Sequence, residues 1–149
     1  MPNENVDASV LIPILKQIPI FAELDESIHR EIIERIVLMY YPKGYTIFNQ
    51  DDEGDALYIV KEGGVEIYHP AKDEGDLDQK IAEIKKGGFF GEMALISEET
   101  RNASARTMEE SEVFILNKSD FAKLLETNTT LAQHVSATMV SRLNENNKA

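Results

Sequence analysis

Phe90-Gly91-Glu92-Met93-Ala94-Leu95-Ile96-Ser97-Glu98-Glu99-Thr100-Arg101-Asn102-Ala103-Ser104 is the stretch on which the reading of this chain turns. Gly91 has no Cβ, so the backbone there can approach a bound group closely. The residues after it can form one helical turn, whose free N–H groups suit an anion. Arg101 adds a permanent charge and a planar donor fork that fits phosphate oxygens. Glu92 is out of place beside an anion unless it has a donor of its own, and a ribose 2′-hydroxyl is such a donor. Each residue also has a plainer reading. Arg101 could pair at the surface with Glu98 or Glu99, Glu92 could offset a helix dipole, and Gly91 could simply turn the chain.

On both sides of this stretch the hydrophobic pattern has a period of two. Val37-Leu38-Met39-Tyr40-Tyr41 reads as a strand stopped by Pro42-Lys43-Gly44. Residues 45–48, 56–60, 65–68 and 81–84 read as further strands before the stretch, and 103–107 and 112–116 after it. Asp51-Asp52-Glu53-Gly54-Asp55 reads as a turn, because it lacks the spaced ligands and terminal Glu of a calcium loop. Short strands with Gly, Pro and Asp turns between them predict a sandwich or barrel.

Helices flank this β region. Residues 1–9 are polar and read as frayed. Pro13 and Pro19 limit residues 10–21 to short helical pieces. Asp25 is placed to cap a helix that carries Ile28, Ile32, Ile33 and Ile36 on one face. Near the end, Asn117 or Ser119 caps a helix reaching Leu125. Thr130 with Gln133 then makes a capping box. Leu131, Val135, Met139 and Leu143 form one stripe, fit for core packing, a dimer seam or a lid.

The quoted stretch resembles the phosphate-binding cassette of the cyclic nucleotide-binding domain family, written F-G-E-x-A-L, a short loop, then P-R-x-A-S/T. IFNQDDEGDALYIVKEGGVEIY, residues 47–68, resembles the first hairpins of the same family. Thr100 stands where the family usually has proline, and Asp51 where it has glycine; Asp tolerates left-handed backbone. The resemblance covers about residues 10–145. It implies one domain over residues 1–149: N-terminal helices at about 10–36, a jelly-roll β-roll (a double-stranded β-helix) at about 37–116 with its cassette at 90–104, and C-terminal helices at about 117–146. It implies ligand contacts from Phe90, Gly91, Glu92, Met93, Ala94, Arg101, Asn102, Ala103 and Ser104, with backbone N–H groups of Ala94 and Asn102 on the phosphate. Met139, Val140 and Leu143 are the candidate purine cap. The implied ligand is a 3′,5′-cyclic purine nucleotide. Cyclic AMP is favoured over cyclic GMP, because Asn102 is not the Thr or Ser that often accompanies guanine.

Composition narrows the partners. A net charge of −12 over 149 residues argues against nucleic acid and against anionic membrane. There is no cysteine, hence no disulfide or thiolate chemistry. No apolar run is long enough to span a bilayer, and the start lacks a signal-peptide pattern, so a cytoplasmic location is expected. His29, His69 and His134 have no ligand spacing, and no nucleophile has a base beside it, so no enzyme and no metal cofactor are expected. The reading is a sensor that binds and releases its ligand unchanged while its C-terminal helices move. The quoted sequence carries no helix-turn-helix or catalytic segment. Its output is therefore expected through an effector protein in trans, with a homodimer through the last helix as a further option, unless the chain is part of a longer one or stores ligand. The alternative is a ligand-free interaction module on the same β-roll.

Overall fold

A computed structural model describes residues 6–147, and side chains as far as Met139. Two helices open the chain. The first, α1 (Ala8–Leu15), is capped by Asp7, whose carboxylate accepts the Ser9 N–H at 2.8 Å. Order therefore begins inside the segment expected to fray. Pro13 lies within α1 rather than between pieces; the helix loses one N–H there and ends two residues later. The second, α2 (Glu26–Ile33), is capped by Asp25, which accepts the Ile28 N–H at 3.1 Å. Ser27 and that N–H hold the Asp25 carboxyl below its usual value. Ile36 is buried with Ile28, Ile32 and Ile33 but sits past the helix end, in a turn.

Eight antiparallel strands follow: β1 (Val37–Tyr41), β2 (Thr46–Phe48), β3 (Ala56–Glu62), β4 (Gly64–His69), β5 (Gln79–Lys85), β6 (Phe89–Phe90), β7 (Ser104–Thr107) and β8 (Ser111–Asn117). They form two four-stranded sheets, in the orders β1-β8-β3-β6 and β2-β7-β4-β5. The fold is a mainly β jelly roll with helices at both ends. Two C-terminal helices complete it, α3 (Lys118–Thr127) and α4 (Thr129–Asn147). Asn128 alone separates them. Its amide oxygen accepts the Leu131 N–H at 2.9 Å, so Asn128, not a Thr130 box, caps α4.

The two central strands of the first sheet, β3 and β8, are buried on both faces. Leu57 and Ile59 of β3 and Phe114 and Leu116 of β8 face the four helices. Ala56, Tyr58 and Val60 of β3 and Val113 and Ile115 of β8 face the second sheet. This alternation sets the two strands between a helical layer and the interior of the roll. The α4 stripe divides. Leu131 and Val135 are buried in the helical layer, while Met139 is 43% exposed. Two histidines fasten this layer: His29 of α2 bonds the Phe21 carbonyl at 2.7 Å, and His134 of α4 the Ile20 carbonyl at 3.0 Å. Val140 and Leu143 have side chains outside the described residues. Among the described residues no helix is long and apolar enough to cross a membrane.

Candidate functional site

The chain leaves β6 at Phe90 and turns at Gly91, whose φ is +78°, into a one-turn 3₁₀ helix, Glu92–Leu95. A side chain at residue 91 would place its Cβ 2.6 Å from Arg101 Nη1 and 3.1 Å from the Ala56 carbonyl oxygen. Glycine is required there by both conformation and space. Leu95 and Ile96 are buried against the helical layer, which anchors the turn.

Arg101 arrives from the other side on a strap. The Asp51 N–H donates to the Arg101 carbonyl at 2.8 Å, and the Arg101 N–H donates to the Asp52 carbonyl at 2.7 Å. Glu53 bridges Thr100 in the same ladder. Asp51 supports this by adopting φ +75°, the left-handed geometry expected of a glycine substitute. The acidic segment is thus a turn, and its work is to hold the arginine's backbone.

The Arg101 side chain is 8% exposed, unusual for a cation. Nη2 donates to the Ala56 carbonyl at 2.9 Å, and Nη1 to the Gly91 carbonyl at 3.4 Å. The guanidinium lies over the Phe48 ring, 4.3 Å from its centroid, and 5.7 Å from that of Tyr58. Burial pushes the Tyr58 phenol up to about 12, so this ring stays neutral beneath the charge. The nearest carboxylate is Asp55, at 3.7 Å, and it is largely exposed. The surface pairing with Glu98 is not found: Glu98 bonds Lys118 at 3.2 Å instead. Arg101 Nε is buried without a hydrogen-bond partner among the described residues.

Gly91, Glu92, Met93, Ala94, Arg101 and Asn102 line one cleft of about 350 Å³, with Gly54, Ser97, Glu99 and Thr100. That is within the size range of small-ligand pockets. Glu92 makes no hydrogen bond or ion pair among the described residues. The Ala94 N–H donates to the Gly91 carbonyl at 3.1 Å and is engaged within the turn. The other three residues of the expected set lie elsewhere. Phe90 is buried between the sheets, stacked on Tyr58 at 5.0 Å. Ala103 is buried, and the buried Ser104 hydroxyl accepts the Gln50 N–H at 2.8 Å. Met139 stands on α4. Sequence reasoning missed Phe48, Tyr58 and Asp55 as neighbours of Arg101. The first two sit in the hairpin pattern but look there like ordinary core residues. No group of three or more His, Asp or Glu among the described residues is placed to hold a metal.

A left-handed glycine, a one-turn helix and a buried arginine thus meet around one cleft. A family model described as "Cyclic nucleotide-binding domain" matches residues 38–128, and the chain belongs to that family. The cyclic AMP receptor protein of Thermus thermophilus is 35% identical over 105 residues, covering 70% of this chain and 48% of that protein. A cGMP-dependent protein kinase of Caenorhabditis briggsae is 32% identical over 118 residues, covering 78% of this chain and 16% of the kinase. The crystal structure of the Thermus thermophilus catabolite activator protein superposes with a TM-score of 0.64 at 31% identity, covering 87% of this chain and 60% of that one. The chain thus spans less than half of the two curated relatives.

Proposed function

We propose that this chain binds a 3′,5′-cyclic purine nucleotide, cyclic AMP in preference to cyclic GMP, and acts as a non-catalytic sensor whose C-terminal helices shift on binding. The observation that carries it is Arg101: a cation 8% exposed, opening on a cleft beside a glycine that no other residue can replace without displacing it. Arg101 receives the cyclic phosphate, exchanging protein carbonyls for phosphate oxygens. Glu92 accepts from the ribose 2′-hydroxyl, and the backbone N–H groups of Asn102 and of Ala94, the latter leaving the Gly91 carbonyl, complete the cradle. Phe90, Ala103 and Ser104 support it from behind. Met139, with Val140 and Leu143, covers the purine. The base preference rests on Asn102, since the relatives' names include both cyclic nucleotides. The output goes to an effector protein in the cytoplasm, with pairing of two copies through the last helix as a further means.

One observation favours the alternative of a ligand-free interaction module. Both Nη groups of Arg101 are already bonded to protein carbonyls. Calorimetric titration with each nucleotide decides between the two. Ligand at 100 times its dissociation constant stabilises the fold by about 2.7 kcal/mol, a rise of roughly 5–10 °C in melting temperature. No heat and no shift with either nucleotide at millimolar concentration leaves the interaction module.

A further inference from the structure

Lys118, the first residue of α3, bonds to two segments that lead to Arg101. Its ammonium donates to the Ser97 carbonyl at 2.5 Å and to Glu98 Oε1 at 3.2 Å. Its backbone N–H donates to the Asp55 carbonyl at 2.8 Å. The Asp55 carboxylate lies 3.7 Å from Arg101 Nη2, and the next carbonyl, that of Ala56, accepts from the same Nη2. Residues 97–101 close the circuit back to Arg101. The dipeptide Asp55-Ala56 and Lys118 thus both join the arginine loop to α3.

We infer that Lys118 is a positioning residue that fixes the arginine loop to α3, so that a change at Arg101 is felt by the helix. The inference rests on the reading that an anion reaches Arg101. Such an anion draws Nη2 away from the Ala56 carbonyl. Ala56 pairs with Asn117, the residue immediately before α3. The disturbance thus starts one residue from the helix, and the ammonium makes the loop follow. The two side-chain bonds of Lys118 differ in worth. Glu98 is 96% exposed, so that ion pair is screened and weak. The bond to the Ser97 carbonyl is part-buried and has a charged donor, so it is the stronger one.

Two substitutions test this. Lys118→Met keeps the length of the stem and removes both donors; Lys118→Arg keeps a donor. Amide hydrogen exchange is followed for wild type and both variants, with and without cyclic AMP, after calorimetry has fixed each affinity. Without nucleotide, the Met variant should exchange the Ile96 and Arg101 amides, which flank the loop and donate to the Met93 and Asp52 carbonyls, about tenfold faster than wild type, the loss expected for one charge-assisted bond. The Arg variant should not. With saturating nucleotide, wild type should change its exchange along α3, and the Met variant should lose most of that change while still binding. Loop exchange equal to wild type in the Met variant overturns the tether. An α3 response of wild-type size in that variant overturns the coupling. Failure of wild type to take up nucleotide shows in the titration alone and removes the ligand reading, while the ligand-free exchange still judges the tether.

Discussion

Gly91→Ala separates the backbone role of this glycine from its role toward Arg101. The φ of +78° costs an L-residue about 1–2 kcal/mol. The added Cβ falls 2.6 Å from Arg101 Nη1, so the guanidinium must retreat by roughly 1 Å to reach ordinary contact. The second neighbour, the Ala56 carbonyl at 3.1 Å, is backbone and gives way less easily. A guanidinium moved that far presents one donor, not two, to a phosphate. Loss of one charge-assisted hydrogen bond is about 1.5–3 kcal/mol, or roughly 10- to 150-fold in affinity. Gly87→Ala is the matched control, because Gly87 has φ +84° and nothing within 4 Å of the same Cβ. Both variants should melt about 2–8 °C below wild type, from the shared backbone strain. Only Gly91→Ala should lose affinity for cyclic AMP by calorimetry. Equal affinity in all three proteins, or equal loss in both variants, refutes the claim that Gly91 is there for Arg101.

Arg101→Ala should weaken nucleotide binding by roughly 2–5 kcal/mol, about 30-fold or more, and Arg101→Lys should restore it only in part, because one ammonium cannot replace the fork. Glu92→Gln should cost about 1–2 kcal/mol for cyclic AMP and nothing for its 2′-deoxy analogue; equal discrimination against that analogue in both proteins removes Glu92 from the ribose. Asp25→Ala should melt lower than wild type at neutral pH. The Asp25 carboxyl is depressed below 3.8 in the fold, so its contribution is complete above that pH and fades as pH falls through the depressed value; melting curves of the two proteins should converge there. Leu131→Ala should destabilise by about 2–5 kcal/mol in denaturant titration, since Leu131 is fully buried in the helical layer.

What was legible in this chain follows from the range of the forces involved. Strands of five to seven residues announce themselves by alternation, and β1 falls where it was expected. A two-residue strand such as β6 has no period to read, so Phe89–Phe90 was invisible as a strand. Residues 56–60 showed as a strand, but an unbroken apolar run does not say that one face meets helices and the other a second sheet. The Asn128 cap was missed because Thr130 with Gln133 matched a local pattern equally well, and the contact of Asn128 with Glu31 comes from 97 residues away. The site followed the same rule. Gly91, Glu92 and Arg101 could be picked out by type and spacing, since each needs a particular side chain or the lack of one. The acceptors of Arg101 are main-chain carbonyls at Ala56 and Gly91, which carry no side-chain signature. That hidden half matters for how the site works. On the function proposed above, an anion at Arg101 exchanges bonds the arginine already makes, and its affinity is then a difference between two sets of acceptors rather than a sum of new contacts. On that proposal the β3 start and its strap, residues 51–56, bear on the affinity together with the cassette, although no part of them was read from the sequence as binding ligand.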